Sequence, residues 1–208
     1  MYYGEKFNSI THLVGAALAL IGFGALLTVS IQLRDPRVIV SFTIFGVTLI
    51  LLYTMSTLYH SFYEVKLKNR FQKFDHISIY LLIAGTYTPY MLVSLGDSNG
   101  HYMLAFVWGL AALGIVLDIF ITERIEILQI LIYLLMGWVC TLEYANLMMS
   151  IGTAGIAWLT IGGVVYTIGI VFYVLDDWNK LRHAHGIWHI FVLMGSISHF
   201  ISIVGYVR

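Results

Sequence analysis

Apolar stretches of about 18–25 residues recur along this chain of 208 residues, and no other feature restricts its fold so strongly. At 1.5 Å per helical residue, about 20 residues cross the roughly 30 Å hydrocarbon core of a bilayer. Seven such stretches can be placed, at residues 11–33, 38–58, 75–95, 102–122, 127–147, 154–175 and 183–207. The polar pieces between them, such as Arg34-Asp35-Pro36-Arg37 and Gly96-Asp97-Ser98-Asn99-Gly100, are too short to form a separate domain. Membrane β-barrels need strands of about ten residues with alternating polarity, whereas these runs are apolar on every side. Helices satisfy their own backbone in lipid. The expected fold is all-α, one membrane bundle of seven transmembrane helices filling residues 1–208.

Composition argues the same way, with 60% apolar and 11% charged residues against about 45–50% and about 25% in soluble domains. The 11 basic and 11 acidic side chains leave no net charge to draw the chain to nucleic acid. The placement of the charges is more informative. Lys6, Lys66, Lys68, Arg70, Lys73, Arg124, Lys180 and Arg182 fall on one side of seven crossings, and Arg34, Arg37 and Arg208 on the other. Short loops rich in lysine and arginine stay in the cytoplasm, so the N-terminus is expected inside and the C-terminus outside. The first apolar run exceeds the 7–15-residue core of a cleavable signal and reads as a retained helix. The single cysteine, Cys140, lies in an apolar run, which excludes an internal disulfide and a cysteine-based metal cage.

Ionisable residues inside membrane segments are costly and mark functional sites. Here they gather at helix ends: His60 closes the second stretch, Asp75 and His76 open the third, and His183, His185 and His189 open the seventh. The expected orientation puts all of these ends on the cytoplasmic side. In His185-Gly186-Ile187-Trp188-His189 the two imidazoles are four residues apart, on one helix face, and can reach one metal ion. Ser56-Thr57-Leu58-Tyr59-His60 brings a third imidazole to the same level, with Ser56 one turn away on the same face. Three neutral imidazoles leave the fourth tetrahedral position open, as in catalytic zinc sites. Asp75 is placed to act as general base or to hold a histidine tautomer. Ser56 bonds to the water, to Asp75 or to a developing oxyanion, or else to its own backbone, as serines in membrane helices more often do.

These residues, in this order, resemble the haemolysin III family of bacterial membrane proteins and the wider progestin and adipoQ receptor superfamily. The resemblance rests on Glu5-x-x-Asn8-x-x-Thr11-His12, Ser56-x-x-x-His60, Phe74-Asp75-His76, Gly85-Thr86-Tyr87-Thr88-Pro89, and His185-x-x-x-His189 with the later His199. It implies a zinc ion held by His60, His185 and His189, with Asp75 acting through water, in a multi-pass protein of the bacterial plasma (inner) membrane. It also looks like a relation to the alkaline ceramidases, which cleave lipid amides.

The leading functional expectation is a zinc-dependent hydrolase of a lipid amide or ester, with a membrane lipid or fatty-acyl substrate among the helices. The alternative is a lipid-responsive sensor or regulator in which the zinc is structural. A cytolytic pore ranks third, because no stretch shows a continuous polar stripe to line a channel. Other polar residues rank lower. His12 as a fourth ligand would close the open position, and His199 lies about ten residues deeper than His189, too far to share its ion, and is expected to bond to another helix. Asp118, Glu143, Asp176 and Asp177 read as interface charges, and the terminal Tyr and Trp residues as interface anchors. Pro89 is expected to kink the third helix near its middle. Gly15, Gly22, Gly24, Gly162, Gly163 and Gly169 are expected at close helix contacts.

Overall fold

Residues 3–121, 126–178 and 180–208 are described by a computed structural model of the chain. Thr122, the expected end of the fourth helix, and Arg124, one of the charges counted above, lie outside the described residues. Among the described residues every regular element is helical. The α-helices are α1 (Lys6–Leu33), α2 (Pro36–Ser61), α3 (Val65–Pro89), α4 (Gly100–Phe120), α5 (Glu126–Trp138), α6 (Tyr144–Asp177) and α7 (Ala184–Tyr206).

Local chemistry sets several of the boundaries. Arg34 leaves α1 in the left-handed conformation, and Asp35 caps α2 by accepting a 2.8 Å hydrogen bond from the Arg37 backbone N–H. Pro36 takes the first turn of α2, where its missing N–H costs nothing. The third helix begins at Val65 rather than near Asp75, because the Glu64 carboxylate accepts from the Lys66 and Leu67 N–H groups. The lysine-, arginine- and glutamine-containing turns that follow are good helix formers although they are not apolar. With the start moved back, Pro89 stands towards the far end rather than the middle. There α3 passes into a π-helical turn, Tyr90–Ser94, in which Leu95 N–H donates to the Tyr90 carbonyl at 3.0 Å.

The run from Glu126 to Asp177 is helical over 52 residues, with a 3₁₀ segment at Val139–Glu143. It is not one rod. Trp138 Nε1 donates to Thr167 Oγ1 at 3.0 Å, although a straight helix would hold residues this far apart in sequence about 43 Å from each other. The reversal falls at Gly152, with φ 69° and ψ 175°, a conformation open almost only to glycine. The break lies between the stretches 127–147 and 154–175 read from the sequence. Among the described residues six segments are long and apolar enough to cross a membrane, this 52-residue run being one of them.

The burial pattern is that of a protein solvated by lipid. Large apolar side chains such as Ile21, Ile127, Leu142 and Met149 face outward, while Ser9, Ser41, Ser56, Ser78 and Ser202 are buried. Inside, polar side chains join helices: Ser196 on α7 meets both Tyr53 of α2 and Tyr166 of α6 at 2.7 Å. Small residues let the helices approach. A Cβ on Gly15 would meet the Tyr53 ring, and one on Gly162 the His199 ring, whereas Gly24 faces open space. The most extensive pairings are α1 with α2, α2 with α3, and α6 with α7, and α7 also packs against α1. The starts of α1, α3 and α7 and the ends of α2 and α6 thereby share one end of the bundle.

Candidate metal centre

His60 lies in the last turn of α2, and His185 and His189 occupy the first two turns of α7. Each offers a ring nitrogen, and the three atoms lie within 4.8 Å of one another, close enough for one small cation to serve all three. His60 and His189 are buried, and His185 is half-buried.

The opposite ring nitrogens are all engaged. His60 Nδ1 meets Glu5 Oε2 at 2.8 Å, and His185 Nδ1 meets Asp176 Oδ2 at 3.1 Å. His189 Nδ1 lies 3.1 Å from the Asn8 carbonyl and 3.1 Å from Thr11 Oγ1. Carboxylate and carbonyl oxygens only accept, so each Nδ1 carries the proton and each Nε2 keeps its lone pair. Those three Nε2 atoms are buried and have no hydrogen-bond partner among the described residues. An oriented histidine with a free nitrogen, backed by a carboxylate or carbonyl, is how proteins prepare imidazole for a metal. The residues fit a zinc ion held by three histidines.

Glu5 ties this arrangement together. It also accepts from Lys68 Nζ at 2.9 Å and Asn8 Nδ2 at 2.7 Å. Burial pushes its carboxyl upward, but the hydrogen bonds from His60, Lys68 and Asn8 outweigh that and hold it well below the ordinary carboxylate range.

Ser56 is fully buried one turn before His60, and its Oγ has no hydrogen-bond partner among the described residues. Asp75 is buried on α3 and lines a cavity of about 190 Å³, together with His12, Thr86, Tyr87 and apolar residues of α3, α5, α6 and α7. It is not one of the three converging ligand residues. His12 stacks on His189 with centroids 3.5 Å apart and is not in the converging group either. His199 lies deeper, its Nε2 3.1 Å from the Leu159 carbonyl on α6.

One residue read as an interface charge has another role: Asp176 orients His185. The parts played by Glu5, Asn8 and Thr11 are also beyond the sequence reading, although their spacing of three along the first turns of α1 and the residue before it was a usable signal of one shared face. Tyr53, Tyr80, Tyr87 and Tyr90 are buried inside the bundle.

Comparison with known proteins agrees with the resemblance. The Haemolysin-III related family profile matches residues 2–200. A Hemolysin-3 homolog from Bacillus subtilis (strain 168) is 41% identical over 202 residues, covering 97% of this chain and 93% of the relative. Hemolysin-3 of Bacillus cereus is 38% identical over 203 residues, covering 98% and 91%. The human monocyte to macrophage differentiation factor is 29% identical over 210 residues, covering 98% of this chain and 84% of its own. With the match running along nearly the whole chain, this protein belongs to the haemolysin-III related family.

Proposed function

We propose that this protein is a zinc-dependent hydrolase of a lipid amide or ester, embedded in the bacterial plasma membrane. The observation that carries the reading is the convergence of three Nε2 atoms whose opposite nitrogens are already engaged. His60, His185 and His189 would hold the ion. When bound, zinc supplies Lewis-acid polarisation of a carbonyl and activation of water near neutral pH. Asp75, buried beside the cavity, takes the proton as general base. Ser56, with its hydroxyl unengaged next to His60, donates to the oxyanion that develops at the substrate carbonyl. The largely apolar cavity receives the acyl chain.

The membrane arrangement belongs to the same proposal. The reversal at Gly152 divides the long 126–177 run into two spans and supports seven crossings. Glu5 touches the site while α7 starts at the site and leads away from it, which supports termini on opposite sides. Lys6, Lys66, Lys68, Arg70, Lys73, Lys180 and Arg182 belong to the metal end, which supports a cytoplasmic position for it.

A second reading, a lipid-responsive sensor with structural zinc, draws on a different observation. The ligands come from α2 and α7 and their Nδ1 partners from the segment opening α1 and from α6, so an ion would lock four parts of the bundle together. Two measurements separate the readings. Elemental analysis of detergent-purified protein should find about one zinc per chain, and less than about a tenth of that in His60→Ala, His185→Ala and His189→Ala. Near-stoichiometric zinc in the three variants would dismiss the site. Fatty-acid release from a panel of ceramides and phospholipids should be abolished in Asp75→Ala while its zinc remains. Equal rates in the two proteins would reject the base, and no release by the wild type would favour the sensor.

A further inference from the structure

Of the two buried imidazoles outside the metal centre, His199 meets the Leu159 carbonyl and His12 is left over. His12, on α1, is 2% exposed, and neither of its ring nitrogens has a hydrogen-bond partner among the described residues. A neutral imidazole always carries one N–H and one lone pair, so the bundle buries both a donor and an acceptor without an answering group. Buried polar atoms are rarely left so, and each exception calls for an explanation.

The ring is held where it is. It stacks on His189 at a centroid separation of 3.5 Å and 15° between planes, and it meets the Tyr53 ring edge-on at 5.1 Å and 89°. Stacking also removes it from the ligand set. The lone pair of an imidazole lies in the ring plane, and the plane of His12 runs alongside that of His189 rather than towards the point on which the three ligands converge.

What His12 does face is the cavity, which it lines with Leu52, Ile79, Ile83 and Asp75. An alkyl chain offers nothing to its nitrogens. A carbonyl at the head of that chain accepts from the N–H.

We propose that His12 recognises the polar head of the bound lipid, donating its ring N–H to an amide or ester carbonyl while the acyl chain fills the cavity. The inference rests on the reading that an acyl chain occupies that cavity, and it is independent of turnover. It makes His12 the specificity residue that distinguishes an acyl amide or ester from a plain hydrocarbon.

Bromine-tipped undecanamide and bromoundecane test it, because bromine quenches Trp138 and Trp188, which line the cavity. Titrations use zinc-loaded, detergent-purified protein, wild type against His12→Phe, which keeps a ring to stack on His189 but no nitrogen. The amide should bind about tenfold more weakly to His12→Phe, with bromoundecane affinity and zinc content unchanged. His12→Asn, which keeps an N–H, should restore most of the amide affinity.

Unchanged amide affinity in His12→Phe, equal weakening of both probes, or loss of zinc would overturn the inference. Should His12→Phe fail to fold, His12→Leu becomes the apolar arm, and amide binding equal to that of His12→Asn would overturn it. Failure of the wild type to release fatty acid leaves the binding result standing. Failure of the wild type to bind either probe does not.

Discussion

His60, His185 and His189 share a pattern at the level of single atoms: an oxygen acceptor holds Nδ1, and Nε2 has no hydrogen-bond partner among the described residues. Removing the acceptor should therefore weaken metal binding without touching a ligand. Glu5→Gln and Asp176→Asn are each expected to lower zinc affinity about 10- to 100-fold, as read by competition with a chromogenic chelator. Unaltered affinity in both would mean that the histidines need no orientation. Glu5 also has a pH signature. Its carboxyl is depressed in the folded protein, so the stability it contributes is complete above the ordinary value of 4.5 and is lost as pH falls towards the folded value. Thermal melts of zinc-free protein should thus lose more stability between pH 6 and about 3 for the wild type than for Glu5→Gln. Glu5 was visible in the family pattern but its role was not, because it precedes the first apolar run, whereas His60, His185 and His189 stood out through their spacing on apolar helices.

At the scale of elements, Gly152 is the clearest single point of dependence. Its φ of 69° strains any side-chain-bearing residue, yet a Cβ there meets nothing within 4 Å, so the substitution isolates the dihedral cost. Gly152→Ala should destabilise the protein by about 1–3 kcal/mol in a thermal melt. Gly24→Ala is the matched control. It is equally open in space but sits within the regular helix α1, so it should be neutral or stabilising by up to about 1 kcal/mol. The separate stretches before and after Gly152 could be read from hydropathy alone, because the polar and small residues between them interrupt the apolar run. The start of α3 could not. Hydropathy sees lipid, not helix, and the turns from Val65 to Phe74 are helical through propensity and the Glu64 cap rather than through apolarity.

For the whole molecule, the proposed orientation is testable on intact cells. In a Cys140→Ala background, Ser98→Cys should react with a membrane-impermeant maleimide from outside, and Lys180→Cys only after permeabilisation. The reverse pattern would invert the topology. Both positions are exposed. The gross architecture was legible because lipid requires long apolar helices, a requirement written in each stretch independently. Which helices neighbour one another was not, since α1 against α7 is a pairing of distant segments, with Gly22 against Phe200 and Gly186 against Phe7, that carries no local signature.

That pairing has a consequence for biosynthesis. Asn8 leaves the ribosome long before His189, yet the two meet across 181 residues of chain. A chain released before α7 lacks His185 and His189, so Glu5 still meets His60 while the Asn8 carbonyl and Thr11 lose the histidine they hold. Metal loading would therefore report that α7 had been made and inserted, and a product cut short before it could be recognised by the absence of an ion.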